Sequence, residues 1–298
     1  RYGGVLPELA ARQHLEQIAP VVETALREAG TTRADLTAIA VTEGPGLIGS
    51  LHVGVQFGQS LAQALELPLV GVDHLEGHLM SVNLEQHAPL YPLLCLTVSG
   101  GHTRLTYSEG PQQHRLLADT RDDAAGEAFD KIGKLLGLDY PAGPALDRLA
   151  QSGNPKRFAF PHTRLKEGGF SFSGLKTAVR YFLEKELKNN PDFIQENLTD
   201  LCAGVQDVIV RQLLDQLVRA ADATGCAHVG LAGGVASNSG LRQGVEALAQ
   251  ARGWTLRIPD RAYCTDNAAM IGLMGHHLLL TGKRNERLTA YPRQKKRR

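Results

Sequence analysis

Two histidines four residues apart, His74 and His78, head a stretch that reads Asp73-His74-Leu75-Glu76-Gly77-His78. A helix advances about 100° per residue, so residues i and i+4 point within about 40° of each other. Both imidazoles can therefore face one point, and neutral imidazole is the commonest protein ligand for a transition metal. The spacing alone fits two surface histidines on an amphipathic helix equally well. Two glycine pairs are the next candidates. Ser99-Gly100-Gly101-His102 lies between two apolar runs, and Gly233-Gly234-Val235-Ala236-Ser237-Asn238 follows a third. Such turns bare their backbone N–H groups and let a phosphate come close, although a simple tight hairpin explains the first of them as well. Asp130 and Asp147 could hook a hydroxylated ligand, with helix capping and solvation as the plain alternative. Asp266, in Thr265-Asp266-Asn267, stands where a helix N-cap is expected.

The elements that would carry these groups alternate between strand and helix. The apolar spacing predicts a helix over 7–29, with Pro20 kinking it. A short strand over 36–41 and a loop at Glu43-Gly44-Pro45-Gly46 come next, then a Gly-rich helix over 49–65. Gly54 and Gly58 in that helix allow close packing by another backbone. A strand over 69–72 leads into His74, which puts the histidine pair at a strand's carboxyl end, where α/β sheets place ligands. Strands are expected at 92–98 and 103–107, with 116–119 closing that sheet. An acidic helix start at 122–131 follows, then another helix from about 141. A loop over 157–169 precedes two long helices, about 175–188 and 191–224. The rest reads as strand 229–232, helix 239–251, strand 254–258 and helix 268–280. GxxxxGK[ST] does not occur, which argues against a P-loop. Alternating elements with a glycine turn in each half suggest a two-lobed, actin-like ATPase (ASKHA) α/β architecture, with a first lobe at 1–120 and a second at 121–298 whose C-terminal tail packs back on the first.

Composition sets the bounds. The chain has 298 residues, 43% hydrophobic and 21% charged, long enough for two ordinary domains. Its formal net charge of +1 does not announce a nucleic-acid binder. Five of the last six residues, Arg293 to Arg298, are basic; they read as a solvated tail or as a contact for an RNA backbone. No apolar run is long enough to span a bilayer. Cys95, Cys202, Cys226 and Cys264 have no CxxC spacing and read as free thiols of a cytoplasmic protein.

Taken together, these segments resemble one family. Pro7-Glu8-Leu9-Ala10, Gly44-Pro45-Gly46-Leu47, the His74–His78 stretch, Ser99-Gly100-Gly101-His102-Thr103, Asp122 to Lys131, Ser171-Phe172-Ser173-Gly174-Leu175-Lys176-Thr177, Gly233 to Asn238 and Cys264-Thr265-Asp266-Asn267 occur in the order found in the tRNA N6-adenosine threonylcarbamoyltransferases, the TsaD family. The resemblance spans nearly the whole chain. It implies an actin-like fold with the site between its lobes. It implies a divalent metal, Fe(2+) in preference to Zn(2+), held by His74, His78 and Asp266. The substrate would be threonylcarbamoyl-AMP, lying along Thr97, Val98, Ser99, Gly100 and Gly101 and touched by Asp130, Gly143, Asp147 and Asn238. ATP- or ADP-type nucleotide binding, a tRNA acceptor, an actin-like paralogue and an ATPase partner are implied as well. The family's acidic opening loop has no match here; the chain starts beyond it, so the first opening strands are expected to be missing.

The resemblance sits beside three competing readings. In a metalloprotease HExxH helix the Glu lies about 80° from the midline of the two ligands; Glu76 lies about 180° from it and cannot serve a bound water. An actin-like small-molecule kinase would share the glycine turns but has no need of His74, His78 and Asp266 as a set. A non-catalytic scaffold paralogue would need none of them. No residue is an obvious general base, with Glu76, His102 and Asp130 as the candidates.

Overall fold

The structure is a computed structural model that describes residues 5–86, 88–162, 165 and 168–293. In chain order the elements are α1 (Pro7–Glu28), β1 (Ile39–Gly44), α2 (Ile48–Ala64), β2 (Leu69–Asp73), α3 (His74–Ser81), β3 (Leu93–Val98), β4 (Thr103–Gly110), β5 (Gln113–Asp119), α4 (Ala125–Leu135), α5 (Gly143–Ala150), α6 (Ser173–Glu186), α7 (Phe193–Thr224), β6 (His228–Ala232), α8 (Ser239–Arg252), β7 (Thr255–Arg257), α9 (Arg261–Cys264) and α10 (Ala268–Leu280). One turn of 3₁₀ helix at Gly234–Ser237 joins β6 to α8. The expected elements are present, with shifted ends. The first strand starts at Ile39 rather than at 36, and α1 runs on through Pro20. The cap of α10 is Asn267, whose side chain accepts from Met270 N, and not Asp266. Part of the expected 157–169 loop, and the basic tail beyond Arg293, lie outside the described residues.

The chain divides into two compact units, Arg1–Leu84 with Asn267–Arg298, and Glu85–Asp266. The expected boundary at 120/121 does not match this division, and the reason is strand pairing. β3, β4 and β5 share one five-stranded sheet with β6 and β7, in the order β5-β4-β3-β6-β7, and a cut at 120 would split that sheet. The C-terminal residues from Asn267 onward belong to the first unit.

In the first unit β1 and β2 pair in parallel, Ile39 opposite Leu69 through Gly44 opposite Asp73. Val70 and Val72 meet Met270, Ile271, Met274 and Leu278 of α10 in an apolar core. α2 lies so close on β1 that a Cβ at Gly58 would overlap Val41. The close approach expected of another backbone at Gly54 and Gly58 is here a contact with the Val41 and Ile39 side chains at Gly58, and a Cβ at Gly54 would meet nothing within 4 Å. α1 packs on α2, yet none of its residues is buried, and Leu15 and Val21 are 68% and 59% exposed.

The second unit holds the larger core. β3 is buried along its whole length, as a central strand covered on both faces must be. Phe170 and Phe172 are fully buried with near-parallel rings 6.4 Å apart, each burial worth about 1.5–3 kcal/mol. Asp122 holds the following turn. Its carboxylate accepts from Ser171 Oγ, Phe172 N, Ser173 N and Ser173 Oγ, so the start of α6 is capped from a residue fifty positions away. Burial raises the Asp122 carboxyl, and those donated hydrogen bonds outweigh it and hold the group below the usual carboxylate range.

Candidate functional site

β3 and β6 are parallel neighbours, with Thr97 opposite Ala232, so the Ser99–His102 turn and the Gly233–Asn238 turn leave the sheet at the same end. The first is the expected hairpin. Val98 pairs with Thr103, Ser99 N donates to His102 O, and His102 N donates to Ser99 Oγ. The second turn presses on it. Gly233 has φ of +88°, and a Cβ there would overlap Val98 O, so only glycine fits. Helix α4 then packs its first turn against the hairpin. Its cap position, Ala124, has no side chain to offer, so Ala125 N donates to Thr103 Oγ1 and Gly126 N to Ser99 O. Two of the four orphan N–H groups that every helix start carries are thus satisfied by the hairpin itself.

These pieces wall a cavity of about 530 Å³ in the second unit. Of the nine residues expected along a substrate, Gly100, Asp130, Gly143, Asp147 and Asn238 line it. Thr97, Val98, Ser99 and Gly101 do not, although they are continuous with Gly100; Thr97 and Val98 are buried in the sheet. Sequence reasoning passed over Phe129, Tyr140, Arg148 and Arg261, which also line the cavity. They sit beside recognised motif residues, but no spacing rule marks them.

The two aspartates act structurally as well. Asp130 Oδ1 accepts from Ala142 N and Gly143 N at 2.8 and 3.3 Å, which serves the start of α5. Asp147 accepts from Ser239 N and Ser239 Oγ, which serves the start of α8. Asn238 caps α8 through Leu241 N and donates to Gln206 Oε1. The capping alternative is therefore real at both aspartates, and both, like Asn238, also line the cavity.

His74 and His78 occupy the first turns of α3, their ring centroids 4.6 Å apart and nearly perpendicular. Asp73 caps the helix, with Oδ1 accepting from Leu75 N and Glu76 N, while Oδ2 accepts from Tyr291 Oη at 2.8 Å. Burial raises the Tyr291 phenol, and the negative charge and hydrogen bond of Asp73 push it further. Gly77 brings α3 against α10, where a Cβ would meet Ile271 Cδ1 at 2.8 Å. Asp266 immediately precedes the cap of α10. His74, His78 and Asp266 each offer a ligand atom, and these atoms all lie within 4.8 Å of one another. Atoms bound to one zinc- or iron-sized ion at about 2.0–2.2 Å are at most about 4.4 Å apart, so two imidazoles and a carboxylate close on an ion with small side-chain shifts. Three such ligands leave positions open, as in metals that bind substrate.

Solved structures share the fold. The chain matches the HypF of T. kodakarensis over 85% of its own length and 42% of that chain, with a TM-score of 0.59 at 16% identity. It matches the (R)-2-hydroxyglutaryl-CoA dehydratase component A of Acidaminococcus fermentans over 89% and 85%, with a TM-score of 0.52 at 15% identity. These likenesses show the fold alone, an α/β fold of the actin-like type. The family model described as "TsaD: tRNA N6-adenosine threonylcarbamoyltransferase" matches residues 1–273. Proteins bearing that name from Salinibacter ruber and Christiangramia forsetii are 52% and 46% identical, over 94% of this chain and 84% and 83% of theirs. The chain belongs to the tRNA N6-adenosine threonylcarbamoyltransferase family.

Proposed function

We propose that this chain transfers the threonylcarbamoyl group from threonylcarbamoyl-AMP to the N6 amine of the adenosine beside the anticodon, in tRNAs that read codons beginning with A. The observation that carries this reading is the cavity. Two glycine turns from parallel neighbouring strands and the two expected aspartates line one space of about 530 Å³ in a member of this family. The exocyclic amine of adenine is a weak nucleophile, so most of the acceleration must come from holding donor and acceptor in line. The bare N–H groups of the Gly100–Gly101 turn would orient the phosphate, and the fixed carboxylates of Asp130 and Asp147 would accept from hydroxyl groups. Arg148 and Arg261 place positive charge at the same space. Of the three candidate bases, Glu76, His102 and Asp130, Asp130 is the one that lines the cavity.

His74, His78 and Asp266 would hold the metal, with Fe(2+) favoured over Zn(2+). When bound it would polarise the carbamoyl carbonyl and offset charge on the leaving phosphate. One solved relative in fold is described as a phosphate- and nucleotide-bound form of HypF, which supports ATP- or ADP-type nucleotide binding here. The two compact units would be the two actin-like lobes. The unburied α1, with Leu9, Leu15 and Val21 exposed, supports an actin-like paralogue as partner beside an ATPase of the same modification complex. A tRNA substrate and four free cysteines favour the cytoplasm, and among the described residues no helix is long and apolar enough to cross a membrane.

Nucleoside analysis of bulk tRNA tests the reading. Cells depleted of the protein should lose threonylcarbamoyladenosine, with recovery by wild type and not by His78→Ala. An unchanged level on depletion would refute it.

A further inference from the structure

Asp266 is exposed, and it follows a helix of only four residues, α9. One turn of helix does not hold itself together, because nucleation fixes several dihedrals for a single hydrogen bond. Something else must fix this segment: Glu85 Oε2 accepts from Asp260 N at 3.1 Å near its start, and Arg242 reaches both of its ends. Arg242 is the fourth residue of α8 and half-buried. Its Nε donates to Ala236 O at 2.6 Å, in the turn that ends at Asn238. Its Nη2 donates to Pro259 O at 2.8 Å and lies 3.2 Å from Cys264 Sγ, at either end of the α9 segment. Cys264 in turn points its thiol at Pro259 O and Asp260 O. One planar guanidinium thus bridges the Gly234–Asn238 turn to the residues just ahead of Asp266, an arrangement the single ammonium of lysine cannot reproduce.

We infer that Arg242 is a positioning residue that fixes Asp266 for metal binding and ties it to the turn that lines the substrate cavity. The inference rests on the reading of His74, His78 and Asp266 as the metal ligands. Arg242 touches neither metal nor substrate. It acts by limiting the conformations open to an exposed carboxylate, so that less ordering is left to be done when the ion arrives.

The test is competitive zinc(II) titration of the metal-free full-length chain, run beside thermal unfolding, for wild type, Arg242→Gln, Arg242→Lys and Asp266→Ala. Loss of an outer-shell partner typically weakens metal binding by about 10- to 100-fold, and that is the expected loss in Arg242→Gln. Arg242→Lys should fall between it and wild type, and Asp266→Ala should bind most weakly. A role confined to stability would lower the unfolding temperature and leave zinc affinity where it was. Wild-type affinity in either folded Arg242 variant, with Asp266→Ala impaired, overturns the inference alone. Equal zinc binding by wild type and Asp266→Ala overturns the ligand assignment instead.

Discussion

Gly126→Ala separates the fold from the site. Gly126 is the second residue of α4, where exchange to alanine would ordinarily gain up to about 1 kcal/mol in helix propensity. Here the new Cβ would lie 2.6 Å from Ser99 O, 2.8 Å from Gly100 Cα and 2.9 Å from Gly100 N, all backbone atoms of the glycine turn. The same turn is held by Gly126 N donating to Ser99 O at 3.2 Å, so it has little slack. To restore ordinary contact near 3.4 Å, helix and turn must part by about 0.8 Å. Overpacking of this kind costs about 1–3 kcal/mol, and the propensity gain offsets part of it, which leaves a net loss of about 0–2 kcal/mol. The effect on chemistry is larger, because a misplacement near 1 Å can cost about 100-fold in rate. The assay is a thermal melt together with kcat/KM for threonylcarbamoyl transfer to tRNA, in the presence of whatever partners the reaction requires. A folded variant with wild-type kcat/KM would refute the assignment of the Ser99–Gly101 turn to the substrate.

Three further predictions concern the supports around the site. The depressed Asp122 carboxyl contributes stability that is present above its unfolded value near 3.9 and is lost as pH falls through the lower folded value, so acid unfolding monitored by circular dichroism should shift to higher pH in Asp122→Asn. At neutral pH the lost cap should cost Asp122→Ala about 1 kcal/mol by denaturant unfolding. Tyr291→Phe removes one hydrogen bond to the carboxylate that caps α3, and should destabilise by about 0.5–1.5 kcal/mol; an unchanged midpoint would mean that the bond contributes nothing. Burial pushes the Cys95 and Cys202 thiols up to about 12, so both should resist iodoacetamide at pH 8 until the chain unfolds, as mass spectrometry of alkylated peptides would report.

Much of this site is written in local pattern. Strand-then-histidine at 69–78 and the two Gly-Gly turns could be found because each motif lies inside one short stretch whose spacing has a geometric meaning. The strand that carries each turn was expected as well. The parallel pairing of β3 with β6 was not, since the two strands are more than a hundred residues apart and nothing in either run names its partner. The same limit explains the boundary near 120, because only the pairing shows that β5 belongs with β7. Arg242 and Arg148 look like ordinary exposed-face residues of amphipathic helices; their interest comes from what the fold brings beside them. The cap of α10 is a different kind of miss. Asp266 and Asn267 are both good caps, and one residue of register decides which carboxylate or amide turns back to the helix.

The division of the chain also has a consequence in time. The unit at 85–266 is an insertion, and the other unit is assembled from residues on both sides of it. During synthesis, which runs from the N-terminus at about 5–20 residues per second, the inserted unit is complete while β1, β2 and α3 still lack α10 to cover them. Val70 and Val72 then stay without their α10 partners for the whole interval in which the insertion is made. The proposed ligand set shares that schedule, since Asp266 is made almost two hundred residues after His74. A nascent chain stalled before residue 266 would carry a formed glycine-turn sheet and an unfinished histidine helix, and so would be a natural target for chaperones rather than a partly active enzyme.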